Sequence, residues 1–295
     1  EQGNEVYFNT SERGKMLLKD NPYIDKLIPY VTNSIPLNKL DEFWNSLKET
    51  YECDKMINLC ESLEVSLALH PVDPAYNLTK KERFAKCNKN YYDFTFEYAG
   101  YKGITGRLPE LHITAEEENK VYEEIKALRE DKGKIVLVEL SGSGRNKVYP
   151  FMGYVVIDIL EKYPNAHVIT VGESGCKILE YPIEHDRLHF RSGVWSVRES
   201  FIATKLVDLV VSPDTGLLHA SGCYDTPKIG LFGHSTIENV SKYFKNDYSL
   251  EADCSCAPCF RLIYDSMQCN IDNLTGGCYC MTVGMSAEKV FYKIC

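Results

Sequence analysis

An Asp-Thr-Gly triplet at residues 214–216, inside the segment VSPDTGLLHASG, is the first candidate for chemistry in this chain. The same triplet forms the active site of aspartic proteases, where two such carboxylates face each other. It also suits an anion-binding loop, because the first backbone N–H groups of a helix are free to bind a phosphate. The residues on either side of the triplet must decide between these two unrelated kinds of enzyme.

The flanking residues argue against a protease. LVDLVVS before the triplet has the composition of a buried strand, GLLHASGC after it has helical spacing, and PKIGLFG is a further strand. Aspartic proteases are all-β, and this sequence holds no second Asp-Thr-Gly or Asp-Ser-Gly. The triplet therefore stands in a strand–loop–helix setting, which favours an anion-binding role.

Each residue of this loop has a role in such a site. Asp214 or Thr215 can cap the helix that begins near Leu217, and Gly216 lets the backbone approach a ligand closely. His219 falls in the first helical turn, from which it could reach the same anion. An ordinary helix cap with His219 facing the core is the alternative that spacing alone leaves open.

Two further loops lie at the ends of predicted strands. SGSGRNKVYP (141–150) supplies two small hydroxyl side chains, Ser141 and Ser143, and the cation of Lys147, which suit a phosphate. A solvated turn is the alternative for this loop. VGESG places Glu173 where the acidic residues of dinucleotide folds bind ribose hydroxyls. Three loops at the carboxyl edge of one sheet predict a pocket for a nucleoside diphosphate.

The elements that must hold these loops alternate regularly between strand and helix. From residue 134 to 233 this alternation predicts a parallel, doubly wound α/β sheet. Before it, TAEEENKVYEEIKALRED (114–131) predicts an amphipathic helix, and the apolar run DKMINLC (54–60) predicts a strand. We predict an N-terminal domain of residues 1–120, a second domain of residues 121–250, and a Cys-rich segment of residues 251–295.

The composition limits the kinds of molecule and surface that this protein is expected to bind. The formal net charge of −9 argues against a broad nucleic-acid surface, which needs many Lys and Arg side chains. No run of about 18 apolar residues occurs, so we expect no membrane span. The sequence opens at Glu1 without Met and without a visible signal peptide, and we expect further residues upstream.

Seven of the twelve cysteines lie between residues 254 and 295. Cys256 and Cys259 have the spacing of a metal-binding knuckle, and thiolates at such spacing suit zinc or iron. We predict a site of four ligands: Cys256, Cys259, Cys269 and Cys280, with Cys278 as the competitor for the last place. The alternative is a disulfide cluster, which would require an oxidising compartment.

The succession of SGSGRNKVYP, VGE and DLVVSPDTGLLHASGCYDTPKIGLFG resembles glycosyltransferase family 9, the ADP-heptose-dependent heptosyltransferases. The similarity extends over residues 134–245. It implies a GT-B fold, in which two Rossmann-like domains face each other and the C-terminal one binds the donor. It also implies inversion at the anomeric carbon without a catalytic metal.

The resemblance assigns roles position by position. Lys147 looks like the lysine on the donor phosphates, with Ser141 or Ser143 beside them. Glu173 is similar to the acid on the adenosine ribose. The loop 214–216 and His219 look like the cradle of the diphosphate. The catalytic Asp of the family lies in a Gly-Asp loop after the first strand, and no such loop occurs here; we therefore leave the catalytic residue unknown and expect it upstream of Glu1.

The cysteine-rich segment is similar to a subgroup related to this family, the bacterial autotransporter heptosyltransferases. The segment CAPCF with its later cysteines, and INLCESLE (57–64), carry that similarity. It implies a four-cysteine iron site, assembly into large rings, and acceptors that are serines of an autotransporter adhesin.

These inferences lead to one expected function and two alternatives. The expected protein is a cytoplasmic, homo-oligomeric, inverting glycosyltransferase that moves a heptose from ADP-heptose to a protein hydroxyl. A base would deprotonate the acceptor while Lys147 and the helix start at Gly216 stabilise the departing ADP. The alternatives are transfer to a lipopolysaccharide core sugar, and a non-catalytic protein that binds sugar nucleotides.

Overall fold

The computed structural model describes residues 3–30, 34–60, 62–63, 66–129, 133–264, 267, 269, 271 and 277–294. The chain divides into two compact units. One consists of Glu1–Cys60 with Leu111–Thr114, and the other of Glu61–Glu110 with Ala115–Cys295.

The smaller unit is built on two parallel strands, β1 (Tyr7–Ser11) and β2 (Lys26–Tyr30), joined by helix α1 (Glu12–Leu18). The Ser11 hydroxyl caps α1 by accepting a hydrogen bond of 3.2 Å from the backbone N–H of Gly14. Helix α2 (Leu40–Thr50) follows a short 3₁₀ turn. Residues 54–60 form no strand, which contradicts the strand predicted there. No side chain described in this unit is buried, so its apolar residues all keep some contact with solvent.

The larger unit is a parallel sheet of six strands in the order β5-β4-β3-β6-β7-β8. The strands are β3 (Lys134–Glu139), β4 (Ala166–Val171), β5 (Leu188–Phe190), β6 (Leu209–Pro213), β7 (Lys228–Phe232) and β8 (Leu250–Glu251). The chain enters at the centre with β3, winds outward to β5, and then crosses back to β6. This is the doubly wound order of Rossmann folds, and the direction of winding reverses between β3 and β6.

The central strands form because their sequences are apolar on both faces. KIVLVE buries Ile135 and Leu137 on one side of the sheet, and Val136 and Val138 on the other. The parallel strand β6 pairs with it in the register Val136↔Leu209. The parallel, doubly wound sheet predicted from the alternation is confirmed.

Helices cover both faces of this sheet. They are α5 (Ala115–Ala127), α6 (Met152–Lys162), α7 (Lys177–Glu180), α8 (Val197–Leu206), α9 (Gly216–Ser221), α10 (Ile237–Val240), α11 (Tyr279–Thr282) and α12 (Ala287–Ile294). Helix α6 places five buried side chains against the sheet, and α12 packs on α6. In the described ranges, every helix is too short or too polar to cross a bilayer.

Helices α3 (Lys80–Cys87) and α4 (Tyr91–Tyr98) also belong to the larger unit. The Asn239 side chain donates hydrogen bonds of 2.8 Å to the carbonyls of Cys87, the last residue of α3, and of Lys89, which lies between the two helices. Packing therefore groups residues 62–110 with the sheet. The division into domains of residues 1–120 and 121–250, which was based on where the regular alternation of strands and helices begins, stays a prediction.

The cysteine-rich segment shares the core of the sheet. Its buried side chains Cys278, Cys280 and Met281 lie in the same apolar cluster as Val136 and Val138 of β3. Two backbone hydrogen bonds tie it to the loops at the carboxyl edge: Phe260 N donates to His234 O at 2.7 Å, and Arg145 N donates to Ile263 O at 3.0 Å. The segment thus supports those loops as part of the same compact unit.

Candidate active site

Three loops meet where the direction of winding reverses: residues 140–147 after β3, residues 214–215 after β6, and residues 233–236 after β7. The surroundings of Gly142 show how closely the loop after β3 approaches the loop after β6. A Cβ atom at this position would lie 2.5 Å from Lys147 Cβ and 3.2 Å from Thr215 Cγ2. The absence of a side chain at Gly142 is therefore a condition for bringing Lys147 beside the Asp-Thr-Gly loop.

Asp214 is a buried carboxylate, with 2% of its surface exposed. Ser235 Oγ donates a 2.8 Å hydrogen bond to Oδ2, while His219 Nε2 and His234 Nε2 each lie 3.5 Å from one carboxylate oxygen. Burial raises the pKa of Asp214, but the charge of Lys147 and the two imidazoles outweigh it and hold the pKa well below its usual value. Asp214 is therefore ionised and a poor general base at neutral pH.

His219 is held by two partners. Tyr92 Oη, on α4, lies 2.6 Å from its Nδ1 atom, and Asp214 Oδ1 lies on the Nε2 side. Burial raises the pKa of the Tyr92 phenol, so its hydroxyl is protonated and donates to Nδ1. The tautomer that accepts this hydrogen bond at Nδ1 carries its proton on Nε2, facing Asp214.

Glu139 is the last residue of β3, and its Oε2 atom accepts hydrogen bonds from two hydroxyls. Ser212 Oγ donates at 2.7 Å, and Thr215 Oγ1 makes a close contact with the same oxygen. Burial raises the pKa of Glu139 to about 7, against the opposing effects of Thr215, Ser212 and the charge of Lys147. The site thus contains one carboxylate that stays ionised and one carboxyl group that titrates near neutral pH.

The helix-capping role predicted for Asp214 or Thr215 is not found. Thr215 occupies the N-cap position of α9, but its side chain makes no capping hydrogen bond because the hydroxyl is engaged by Glu139. Asp214 is likewise turned to Ser235 and the two imidazoles. Gly216 is explained by packing, since a Cβ atom there would lie 2.9 Å from Phe201 Cζ.

The remaining predicted donor-binding residues lie along the same sheet edge. Lys147 ends the 3₁₀ turn Arg145–Lys147 and is partly exposed, and its ammonium makes no hydrogen bond or ion pair with any residue that the structure describes. Ser141 is partly buried beside this turn, and Ser143 is exposed. Glu173 is exposed on the loop that follows β4. The structure therefore groups Lys147 with the Asp-Thr-Gly loop, and sets Glu173 on the loop of the neighbouring strand.

A cluster of thiols lies in the cysteine-rich segment. The Sγ atoms of Cys254, Cys256 and Cys280 lie within 4.8 Å of one another, with 3.6 Å between Cys254 and Cys256 and 3.3 Å between Cys256 and Cys280. Cys259 and Cys278 also contact the Cys280 thiol. These separations exceed the S–S length of about 2.05 Å in a disulfide, and every cysteine in the described ranges is free.

The donor set of this cluster fits a thiolate-binding metal. Four thiolates around zinc at about 2.3 Å stand about 3.8 Å apart, close to the separations found here. Hydrogen bonding with the Cys280 thiol favours the thiolate form of its neighbours, and it lowers the pKa of Cys256 and of Cys278. The predicted ligand Cys269 is buried, and no thiol contact joins it to this cluster in the described part of the chain.

Sequence reasoning missed three members of the site: Glu139, His234 and Tyr92. Glu139 carried a usable signal, because an acidic residue that ends a buried strand lies at the ligand-binding edge of a doubly wound sheet. His234 follows the last clear strand, PKIGLFG, in the same way. Tyr92 had no such signal, since it lies 127 residues before its partner His219.

Comparison with known proteins agrees with this architecture. Residues 197–269 match the model of glycosyltransferase family 9 (heptosyltransferase). The lipopolysaccharide heptosyltransferase 1 of Campylobacter coli is 24% identical over 261 residues, which cover 78% of this chain and 75% of that protein.

Three solved structures share the fold. E. coli ADP-heptose lipopolysaccharide heptosyltransferase II has a TM-score of 0.65 at 13% identity, over 100% of this chain and 89% of that one. A glycosyl transferase of family 9 from Veillonella parvula has a TM-score of 0.61 at 14% identity, over 83% and 76%. E. coli heptosyltransferase WaaC with ADP-2-deoxy-2-fluoro heptose has a TM-score of 0.50 at 12% identity, over 99% and 90%.

The doubly wound sheet, the polar loops at its switch point and these matches define an enzyme of the glycosyltransferase class. Within that class, the chain is similar to glycosyltransferase family 9, the heptosyltransferases, whose family model matches residues 197–269.

The contact between Tyr92 and His219 generates a first prediction. Tyr92→Phe removes the hydroxyl that donates to Nδ1, so we expect a share of His219 to move its proton from Nε2 to Nδ1. Unfolding free energy should fall by about 1 kcal/mol. Long-range ¹H–¹⁵N NMR of the imidazoles measures the tautomer, with His219→Gln used to assign the signal. Tyr243→Phe is the control, because the Tyr243 hydroxyl binds Asp93, which lies on the same helix as Tyr92. An unchanged tautomer in Tyr92→Phe would contradict the assignment.

Proposed function

We propose that this protein transfers a heptose from ADP-heptose to a hydroxyl acceptor, with inversion at the anomeric carbon. The observation that carries the proposal is Lys147, whose ammonium makes no hydrogen bond or ion pair among the described residues and lies beside the Asp-Thr-Gly loop, where the winding of the sheet reverses. Ligands of doubly wound folds bind at that place. An ADP diphosphate supplies the negative charge that such a lysine attracts.

Different residues of the site bind different parts of the donor. Lys147 neutralises the diphosphate and stabilises the departing ADP, as charge builds up on its phosphate in the transition state. Ser141 and Ser143 supply hydroxyls on the same loop. Glu173, on the neighbouring loop, accepts hydrogen bonds from the ribose hydroxyls. Asp214 orients His219 and does not act as the base, because its pKa is held low.

For the acceptor, we propose a serine of a protein of the autotransporter class. The support is the cysteine-rich segment, whose spacing resembles that subgroup. A lipopolysaccharide core sugar is the second candidate, and it is favoured by the name of the matched Campylobacter coli relative. The proposal includes a cytoplasmic location, because free thiols in a cluster persist in a reducing compartment, and it includes assembly into a homo-oligomer.

We also propose that four thiols of the cluster hold one structural iron or zinc ion. Cys256 and Cys280 belong both to the predicted ligand set and to the cluster, while Cys254, Cys259 and Cys278 compete for the remaining places. Such an ion would cross-link the segment on which the donor loops rest.

The experiment that tests the function is a transfer assay with ADP-heptose and two acceptors. One acceptor is a purified autotransporter passenger domain, and the other is a lipopolysaccharide inner core that lacks heptose. We expect ADP release and a heptose mass increment on the passenger domain. Transfer to the inner core alone would replace the proposed acceptor by the second candidate, and binding of ADP-heptose without any transfer would favour the non-catalytic alternative.

Lys147→Ala should weaken ADP binding. Losing a charge-assisted contact costs about 2–3 kcal/mol, which corresponds to an increase in Kd of about 30- to 150-fold. Isothermal titration calorimetry with ADP measures it. Lys126→Ala on α5 is the matched control, because that ammonium is exposed and pairs with Glu123. Equal Kd values for wild type and Lys147→Ala would remove Lys147 from the donor site.

The metal proposal predicts about one iron or zinc ion per chain by elemental analysis. Cys256→Ser and Cys280→Ser should each lose most of it, because each removes a thiolate shared by the possible ligand sets. Cys53→Ser, in the smaller unit, should keep it. A metal content far below one per chain, together with disulfides found by mass spectrometry, would establish the disulfide alternative.

A further inference from the structure

The carboxyl group of Glu139 receives two hydroxyl hydrogen bonds at one oxygen atom. Ser212 Oγ donates to Oε2 at 2.7 Å, and Thr215 Oγ1 contacts the same atom. Ser212 Oγ also lies 2.9 Å from Thr215 Oγ1 and 2.9 Å from the carbonyl oxygen of Pro213. Glu139 thus stands at the centre of a hydroxyl network at the start of α9.

The protonation state of Glu139 decides where the hydroxyl protons point. Each hydroxyl carries one proton, and an ionised carboxylate only accepts. While Glu139 is ionised, the proton of Thr215 is directed to it, and the Thr215 oxygen offers only lone pairs to a ligand. A protonated Glu139 can instead donate to Thr215 Oγ1, and the Thr215 proton is then free to point at an anion.

We propose that Glu139 is a positioning residue for the donor diphosphate: its protonated carboxyl group turns the Thr215 hydroxyl toward a phosphate oxygen, so donor binding takes up a proton at Glu139. This inference rests on the proposed function, in which the diphosphate lies beside Lys147 and Thr215. No covalent bond changes in this step, and the proton comes from solvent.

The surroundings of Glu139 permit this change near neutral pH. The groups that face it are the Ser212 hydroxyl of β6, the Thr215 hydroxyl, the Lys147 ammonium and the Cys176 thiol of the loop after β4. Burial raises the pKa of Glu139 to about 7 despite the hydroxyls and the lysine. Burial also raises the pKa of Cys176, so that thiol stays neutral.

The sign of the pH dependence follows from these charges. A diphosphate brought beside the carboxyl group disfavours its ionised form and raises its pKa further. The bound state therefore holds more protons than the free state above about pH 7, and donor affinity falls as the pH rises through that range.

The test is calorimetry of ADP binding between pH 6.5 and 8.5, in buffers of different ionisation enthalpy. The wild-type Kd should rise by up to about tenfold per pH unit above pH 7. Glu139→Gln should bind with little dependence on pH, because its amide donates permanently, as the protonated acid does. The wild type should also take up more protons than this variant, by a difference of up to about three quarters of a proton at pH 7.5; protons released by ADP itself cancel in that difference.

Glu180→Gln is the matched control. Glu180 is a buried glutamate that accepts a 2.7 Å hydrogen bond from the Thr170 hydroxyl of β4, on the other side of β3 from Ser212. It lies outside the hydroxyl network of Glu139. Its replacement should leave the proton uptake on ADP binding equal to that of the wild type.

Two substitutions of Thr215 test the other end of the network. Thr215→Val keeps the shape of the side chain but lacks the hydroxyl, so we expect about tenfold weaker binding at pH 6.5. Its proton uptake should be smaller than that of the wild type, because Glu139 has lost a hydrogen bond that stabilises its ionised form. Thr215→Ser should keep the wild-type affinity and the wild-type proton uptake. These two variants and the wild-type pH profile decide the matter alone if Glu139→Gln does not fold.

The outcomes separate this inference from the function on which it rests. Wild-type pH dependence that persists in Glu139→Gln, or wild-type affinity and proton uptake that both persist in Thr215→Val, would overturn the role of Glu139 and leave the donor site intact. A folded wild-type protein that binds no ADP would overturn the proposed function itself.

Discussion

The buried negative charge of Asp214 is the constraint on which the arrangement of the site depends. Moving a carboxylate out of water costs several kcal/mol unless cations and donors compensate it. Here the compensation comes from the Ser235 hydroxyl, the imidazoles of His219 and His234, and the charge of Lys147. These groups belong to the loops after β3, β6 and β7 and to helix α9. Keeping one carboxylate ionised therefore holds all three loops together before any donor binds.

The cysteine-rich segment supports the same loops from the other side. Phe260 N donates to His234 O at 2.7 Å, and Ile263 N donates to Asn146 Oδ1 at 3.0 Å, next to Lys147. Gly233 packs so closely on the segment that a Cβ atom there would lie 2.6 Å from Met281 Sδ. Since Met281 directly follows Cys280, the thiol cluster and the donor loops share one packed layer. Any change in the cluster that moves this layer will reach Lys147 and the partners of Asp214.

Most of the sheet was predictable because its information is local. Continuous apolar runs such as KIVLVE give buried parallel strands, and the loops that follow them must meet at one edge. The place of Lys147 beside the Asp-Thr-Gly loop followed from that rule. Capping was predicted wrongly because a short polar side chain at a helix start has competing partners. The Thr215 hydroxyl binds Glu139, which lies 76 residues earlier in the chain. A contact between residues so far apart in sequence cannot be predicted from local sequence patterns. Tyr92 escaped prediction for the same reason, because its partner His219 lies 127 residues away.

Glu139 and Asp214 show how neighbouring carboxyl groups acquire different properties. Asp214 has two imidazoles and a hydroxyl within reach, and these with Lys147 outweigh burial. At Glu139, two hydroxyl hydrogen bonds and the charge of Lys147 lower the pKa, but the effect of burial is larger and raises it. Lys147 thus acts on both groups, and a diphosphate drawn to it adds negative charge close to each of them. Asp214 is fixed as an anion by its own partners. The carboxyl group of Glu139 is the one whose charge can adjust, because its environment leaves both protonation states close in free energy.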